Sequence, residues 1–386
     1  MGKTRLKGRD TPVKILILSC NTGGGHNSAA LAVQEALHER GAWAEIVDPL
    51  SFAGDAAKEA ASNLYNSIIR NVPRAFGVIY RVGELADSAL PKSPVYMANA
   101  LYADKLLAYI REQAIDAVVS THLYGMEAMT AIRKKLGERV PNYGVLTDYT
   151  CIPFFSDTQL DGYFIPHRDL RGELAAKGID EKLMYDTGIP VSARFSQRLG
   201  QSEARERLDL PRRGAVYLVM TGEVGCGRAD ELCDELIARE TGDFTACVMV
   251  GRNEKMRDML IERYGRDGHI RPVEYTREVN VYMNAADALI TKPGGLSSTE
   301  AAAARVPLVH LITIPGCEEK NAAFFEARGL SHKTESMREA ARLAVELAHD
   351  SQAGAAMRAR QAEEINPHAA RDIAEIVYEQ LGMKEA

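Results

Sequence analysis

Val13-Lys-Ile-Leu-Ile-Leu-Ser19, followed after Cys20 by Asn21-Thr-Gly-Gly-Gly-His26, carries the reading of the fold. An apolar run bounded by turn residues is a strand buried on both faces, the kind found in parallel sheets. The glycines turn the chain, and Ala30, Val33 and Leu37 then share one helical face. Gly41 closes that helix and Trp43-Ala-Glu-Ile-Val47 reads as the next strand. Strand, glycine turn, helix and strand in this order open a doubly wound α/β sheet.

The same rhythm runs outward from there. Residues 53–111 interrupt it with mixed helical spacing, broken by Pro73, Pro91 and Pro94, and read as an amphipathic helical insertion. Basic and aromatic residues alternate within it, which fits either a lid packed on its own core or a surface meeting membrane or a long-chain acceptor. Strands resume at Asp116–Ser120, Asn142–Leu146 and Gly162–Ile165. Each ends in polar residues (Thr121-His122, Thr147-Asp148, Pro166-His167), placed where open parallel sheets bind ligands. Thr187-Gly-Ile-Pro190 reads as a linker, after which the pattern restarts. Ala215–Met220 is a strand leading into the turn Thr221–Gly227. Further strands follow at 245–250, 269–273, 288–291 and 307–312.

At 386 residues the chain has room for two to three domains. Forty-seven Lys and Arg against 53 Asp and Glu leave a net charge of −6, which argues against a general nucleic-acid binder. No apolar run approaches a spanning helix, and the polar, basic start lacks the apolar stretch of a signal peptide. The six cysteines are scattered without a CxxC pair, as suits reduced thiols. The boundaries expected are a flexible basic tail over 1–12, able to touch an anionic membrane surface, and a first domain over 13–190. A second domain covers 191–366, and a terminal helix covers 367–386.

Three motifs carry chemistry. The glycine turn before His26 lets a ligand approach the backbone, and the following helix presents its N-terminus to an anion. That position also disfavours an imidazolium, keeping His26 neutral as a general base requires. Thr291-Lys-Pro-Gly-Gly-Leu-Ser-Ser-Thr-Glu300 is the stronger constellation. The amides of Gly294, Gly295, Leu296 and Ser297 could cradle a diphosphate, with help from the hydroxyl of Ser297 or Ser298. Glu300 could accept from both hydroxyls of a ribose, or simply be a favourable first-turn carboxylate. Ile314-Pro-Gly-Cys-Glu-Glu-Lys-Asn321 brings Glu318 and Asn321 to a helix start, as sugar-hydroxyl partners or as helix caps. No Asp-x-Asp occurs, so no metal site and no cofactor is expected.

Taken in order, these motifs resemble the monogalactosyldiacylglycerol synthase and processive diacylglycerol β-glucosyltransferase family, relatives of the peptidoglycan N-acetylglucosaminyltransferase. Val47-Asp48-Pro49, Thr147-Asp148, Thr187-Gly-Ile-Pro190, Gly251-Arg-Asn-Glu-Lys255 and Pro315-Gly316 extend the match over about residues 13–330. The resemblance implies a GT-B fold: two facing Rossmann-like domains with a cleft between them, and the terminal helix returning to the first. It implies inverting transfer of a hexose from a UDP-sugar to diacylglycerol or a glycosyl-diacylglycerol at the cytoplasmic membrane face. The partners are then UDP-hexose, a lipid acceptor and an anionic membrane, and the protein is cytoplasmic and peripheral.

The family's glycine-loop histidine matches His26, with Gly24 and Gly25 beside it, and Asp148 could orient that ring. Donor-binding positions match Gly222, Arg252, Asn253, Val273, Gly294, Gly295, Glu300 and Glu318. Cys317 stands where many lipid-branch members have Gln, and the segment after Asp148 lacks their His and Trp, so donor hexose and acceptor lipid stay open. N-acetylglucosamine transfer to a polyprenyl-linked acceptor, UDP-sugar epimerisation and non-catalytic UDP-sugar sensing remain as alternatives.

Overall fold

The order of the strands is what places the candidate residues. A computed structural model describes residues 11–20, 24–54, 93–220, 229–266, 268–312 and 316–383. Most of the sequence-read insertion, nearly all of the basic tail, and Gly222 lie outside these residues. The described chain forms two units, one built from residues 1–193 with 367–386 and the other from residues 194–366.

The first unit holds a parallel six-stranded sheet, in chain order β1 (Lys14–Leu18), β2 (Trp43–Val47), β3 (Ala117–Ser120), β4 (Asn142–Val145), β5 (Gly162–Phe164) and β6 (Met184–Tyr185). In space the order is β2-β1-β3-β4-β5-β6. The chain leaves β1 to one side and returns on the other, so the carboxyl ends of β1 and β3 flank a topological switch point. That is where open α/β sheets bind ligands. Alternate residues of β1 serve opposite faces, and all four are buried. Leu16 and Leu18 pack in the core beneath the helices Ala103–Glu112 and Leu123–Leu136, while Ile15 and Ile17 pack towards the helix Gly24–Glu39. The helix Ala369–Gln380 completes the second layer, burying Ile373, Ala374 and Val377 in the same cluster.

Gly125 is required by this packing. A Cβ there would stand 2.7 Å from Cβ of Leu18 and 2.9 Å from Oγ of Ser120. Thr187 to Pro190, read from sequence as a linker, are buried. The amide of Gly188 donates to Ile165 O at 3.0 Å, so the segment is stitched into the first unit.

The second unit repeats the plan with β7 (Ala215–Met220), β8 (Phe244–Gly251), β9 (Ile270–Glu274), β10 (Ala288–Thr291), β11 (Leu308–Leu311) and β12 (His332–Thr334). Its order is β12-β11-β10-β7-β8-β9, every pair parallel, and the switch point lies between β7 and β10. Arg205 braces the far end of this sheet. It donates to the carbonyls of Ala285 and Gly214 at 3.1 Å each and to Asp287 at 2.7 Å, and Asp287 in turn accepts the amide of Val216. Two six-stranded parallel sheets flanked by helices are the two halves of a GT-B fold.

Candidate active site

In the first unit the site grows from the ends of β1, β3 and β4. His26 occupies the first turn of the helix Gly24–Glu39, directly beyond β1. Ser19 donates from Oγ to Asn27 Oδ1 at 2.6 Å, tying the strand end to the helix start. Nδ1 of His26 lies 2.9 Å from the carbonyl oxygen of Thr121, which follows β3, and 3.0 Å from Oγ1 of Thr147, which follows β4. A carbonyl can only accept, so Nδ1 carries the proton and Nε2 keeps its lone pair. Thr121 Oγ1 closes the loop by donating to the His26 carbonyl at 3.1 Å.

Burial holds the His26 pKa below its usual 6.5, with the Asp148 carboxylate and the Thr121 carbonyl pulling the other way. The ring is therefore neutral at pH 7 but sits beside an anion that stabilises the imidazolium once it forms. Against it stands the ring of His122, edge-on at 4.6 Å and 85°. His122 accepts the Tyr124 amide at Nδ1 and so caps the helix Leu123–Leu136. Burial, and then the neighbouring His26, push its pKa well down.

In the second unit the site forms at the end of β10. The amide of Gly294 donates to the Lys292 carbonyl at 2.9 Å, closing a tight turn, and the helix Gly295–Ala303 begins at once. Its cap residue, Gly294, offers no side-chain acceptor, so the first amides depend on something else to satisfy them. A Cβ on Gly294 would meet nothing within 4 Å, which leaves open space over those donors.

Of the two hydroxyls considered for a diphosphate, Ser298 is turned inward. It bonds Nε2 of buried His310 at 2.9 Å, whose Nδ1 meets Ser331 Oγ at 3.0 Å. Ser297, by contrast, is only partly buried. Glu300 lies one turn along the helix. Burial pushes its carboxyl up to about 8, against the opposing pull of Arg194.

Glu318, in the first turn of the helix Cys317–Ala327, pairs with Lys292, Nζ to Oε1 at 2.8 Å. Asn321 is fully buried and donates its amide to the Pro293 carbonyl at 3.0 Å, so it shapes the glycine turn from beneath. Asn253 caps the helix Glu254–Tyr264 by accepting the Met256 amide at 3.1 Å. The Arg252 guanidinium lies 4.9 Å over the ring of Tyr275. Val273 sits inside β9, in register with Met249 of β8. Among the described residues no cluster of three or more His, Cys, Asp or Glu is arranged to hold a metal ion.

Thus His26, Thr121, His122, Thr147 and Asp148 come together at one switch point, and Lys292, Gly294, Gly295, Ser297, Glu300 and Glu318 at the other. The sequence reading placed Thr121, His122 and Thr147 at the strand ends that face a ligand and quoted Lys292 within the glycine motif, but gave none of the four a chemical role. Their signal was position alone: each is a polar residue directly after a parallel strand.

Comparison with known proteins adds to this geometry. Residues 26–191 match the family model for monogalactosyldiacylglycerol (MGDG) synthase. A processive diacylglycerol beta-glucosyltransferase of Bacillus cytotoxicus is 25% identical over 322 residues, covering 82% of this chain and 80% of the relative. MurG of Acinetobacter baumannii superposes with a TM-score of 0.64 at 14% identity, covering 95% of this chain and all of that one. The chain is a GT-B glycosyltransferase, similar to the diacylglycerol glycosyltransferases. The fold alone is less selective. A UDP-GlcNAc 2-epimerase from Neisseria meningitidis, bound to UDP-GlcNAc, superposes with a TM-score of 0.59 at 11% identity, over 96% of this chain and 99% of that one.

Proposed function

We propose that this glycosyltransferase moves a hexose from a UDP-sugar to diacylglycerol or a glycosyl-diacylglycerol, with inversion at the anomeric carbon, at the cytoplasmic face of the membrane. The observation that carries the reading is the fixed tautomer of His26, with Nδ1 engaged by Thr121 and Nε2 left basic. A neutral imidazole with an anion beside it is what deprotonation of a lipid hydroxyl needs. The names of the relatives supply the acceptor class.

In this reading the second unit holds UDP-sugar. The diphosphate takes the uncapped amides that start at Gly295, and Glu300 accepts from the ribose hydroxyls. The acceptor hydroxyl gives its proton to Nε2 of His26 and attacks the anomeric carbon. The C–O bond to the diphosphate breaks on the opposite side, and UDP leaves carrying the electron pair. Asp148 stabilises the imidazolium. Preorganised amides and the helix N-terminus stabilise the charge growing on the diphosphate, commonly the largest share of such catalysis. Among the described residues no helix is long and apolar enough to cross a membrane.

The test is UDP release from UDP-glucose, UDP-galactose and UDP-N-acetylglucosamine, each with and without diacylglycerol in anionic liposomes. Lipid-dependent release from one hexose donor, with a β-linked glycolipid as product, is expected. An α-linked glycolipid would overturn the inverting mechanism. Lipid-independent conversion of UDP-N-acetylglucosamine to its 2-epimer would replace the transferase reading with the epimerase one.

A further inference from the structure

The turn before Gly294 carries an ion pair to which the mechanism above gives no work. Glu318 holds Lys292 through Oε1, with 12% of the carboxylate side chain exposed against 35% of the lysine. The carboxylate is thus the fixed partner, and the ammonium is the one with room to swing. Oε2 of Glu318 is buried and accepts no hydrogen bond. A buried carboxylate oxygen without a donor is costly, so Glu318 gains from any hydroxyl that reaches it.

Lys292 itself stands three residues before the uncapped helix start and two before Gly294, over which the space is open. The turn beneath is clamped by Asn321 on the Pro293 carbonyl, so a change of partner by the lysine side chain leaves the turn in place. Asp-x-Asp is absent from the sequence, and a diphosphate at this turn would still have to be neutralised. An ammonium placed beside it supplies that charge.

We propose that Lys292 and Glu318 form a sugar-sensing latch, in which hexose hydroxyls take over the Glu318 carboxylate and Lys292 transfers to the diphosphate of the same donor. The latch rests on the reading of the second unit as a UDP-hexose site. With UDP alone no sugar hydroxyl reaches Glu318, and the carboxylate keeps its lysine. The intact donor is therefore held by one cation more than the product. Once the hexose has left, Glu318 takes the lysine back and the grip on UDP loosens. No covalent bond changes in this exchange.

Calorimetric titration of the full chain with UDP, UDP-glucose and UDP-galactose tests it, with thermal melting to confirm that each variant is folded. Lys292→Met should weaken binding of the accepted UDP-hexose at least tenfold more than binding of UDP, and Lys292→Arg should restore most of the difference. Glu318→Gln should free the lysine, tighten UDP several-fold and erase the preference for the sugar-bearing ligand. Equal weakening of both ligands by Lys292→Met, or no tightening of UDP by Glu318→Gln, would overturn the latch while leaving the donor site in place. Failure of the unsubstituted protein to bind any of the three would overturn the donor site and the latch together.

Discussion

Glu300 shows how a single side chain couples the site to pH. Its carboxyl is held at about 8 in the free protein because burial penalises the charge more than Arg194 offsets it. Ribose hydroxyls would donate to the ionised form, so binding expels a proton. UDP affinity is then expected to rise from about pH 6 to pH 8 and level off above. Glu300→Gln should flatten that slope in a calorimetric pH series; an unchanged slope would remove Glu300 from the ribose site. The same shift bears on stability. With the folded-state pKa above the unfolded 4.5, the folded chain binds more protons between those values. Stability therefore falls as pH rises through that window. Glu300→Gln should raise the melting temperature at pH 8 more than at pH 5.

At the scale of elements, the close fit of the helix Leu123–Leu136 on β1 decides where Thr121 and His122 stand. Gly125→Ala would push a methyl against the rigid Cβ of Leu18, with a cost of about 1–3 kcal/mol for overpacking. Because the helix is capped by His122, the same substitution should lower turnover as well as the denaturation midpoint. A stability loss with turnover intact would show that the cap and the His26 contact are independent of this packing.

The long apolar strands were legible in the sequence because parallel strands are buried on both faces, and their periodicity is unbroken from Ile15 to Leu18. β6 and β12 were not. One is the two residues Met184–Tyr185, the other the polar edge run His332–Thr334, and both owe their place to a neighbouring strand rather than to pattern. The glycine turn at Gly294 likewise announced itself. The inward rotation of Ser298 onto His310 and of Asn321 onto Pro293 did not, since side-chain direction depends on contacts 12 and 28 residues away.

For the molecule as a whole, the two sheets repeat one plan, and the last helix belongs to the first unit although it follows the second in sequence. Ile373, Val377 and Leu381 are buried in the core around β1, and Arg40 pairs with Glu375 at 3.2 Å. Removing residues 367–386 should uncover that face at roughly 1.5–3 kcal/mol for each large aliphatic side chain. Calorimetry should show the loss in the transition of the first unit while the second melts as before; a uniform shift of both would contradict the division. In the proposed function the work is divided in the same way, with the base in one unit and the donor turn in the other. The measurement that bears most directly on the account is lipid-dependent turnover of His26→Ala beside the unsubstituted protein, across pH 5 to 9. The account predicts a loss of about 10²–10⁴-fold, as expected for a missing general base. It also predicts, for the unsubstituted protein, an acid limb below pH 6.5, because burial lowers the His26 pKa. Turnover of His26→Ala near that of the unsubstituted protein would contradict it.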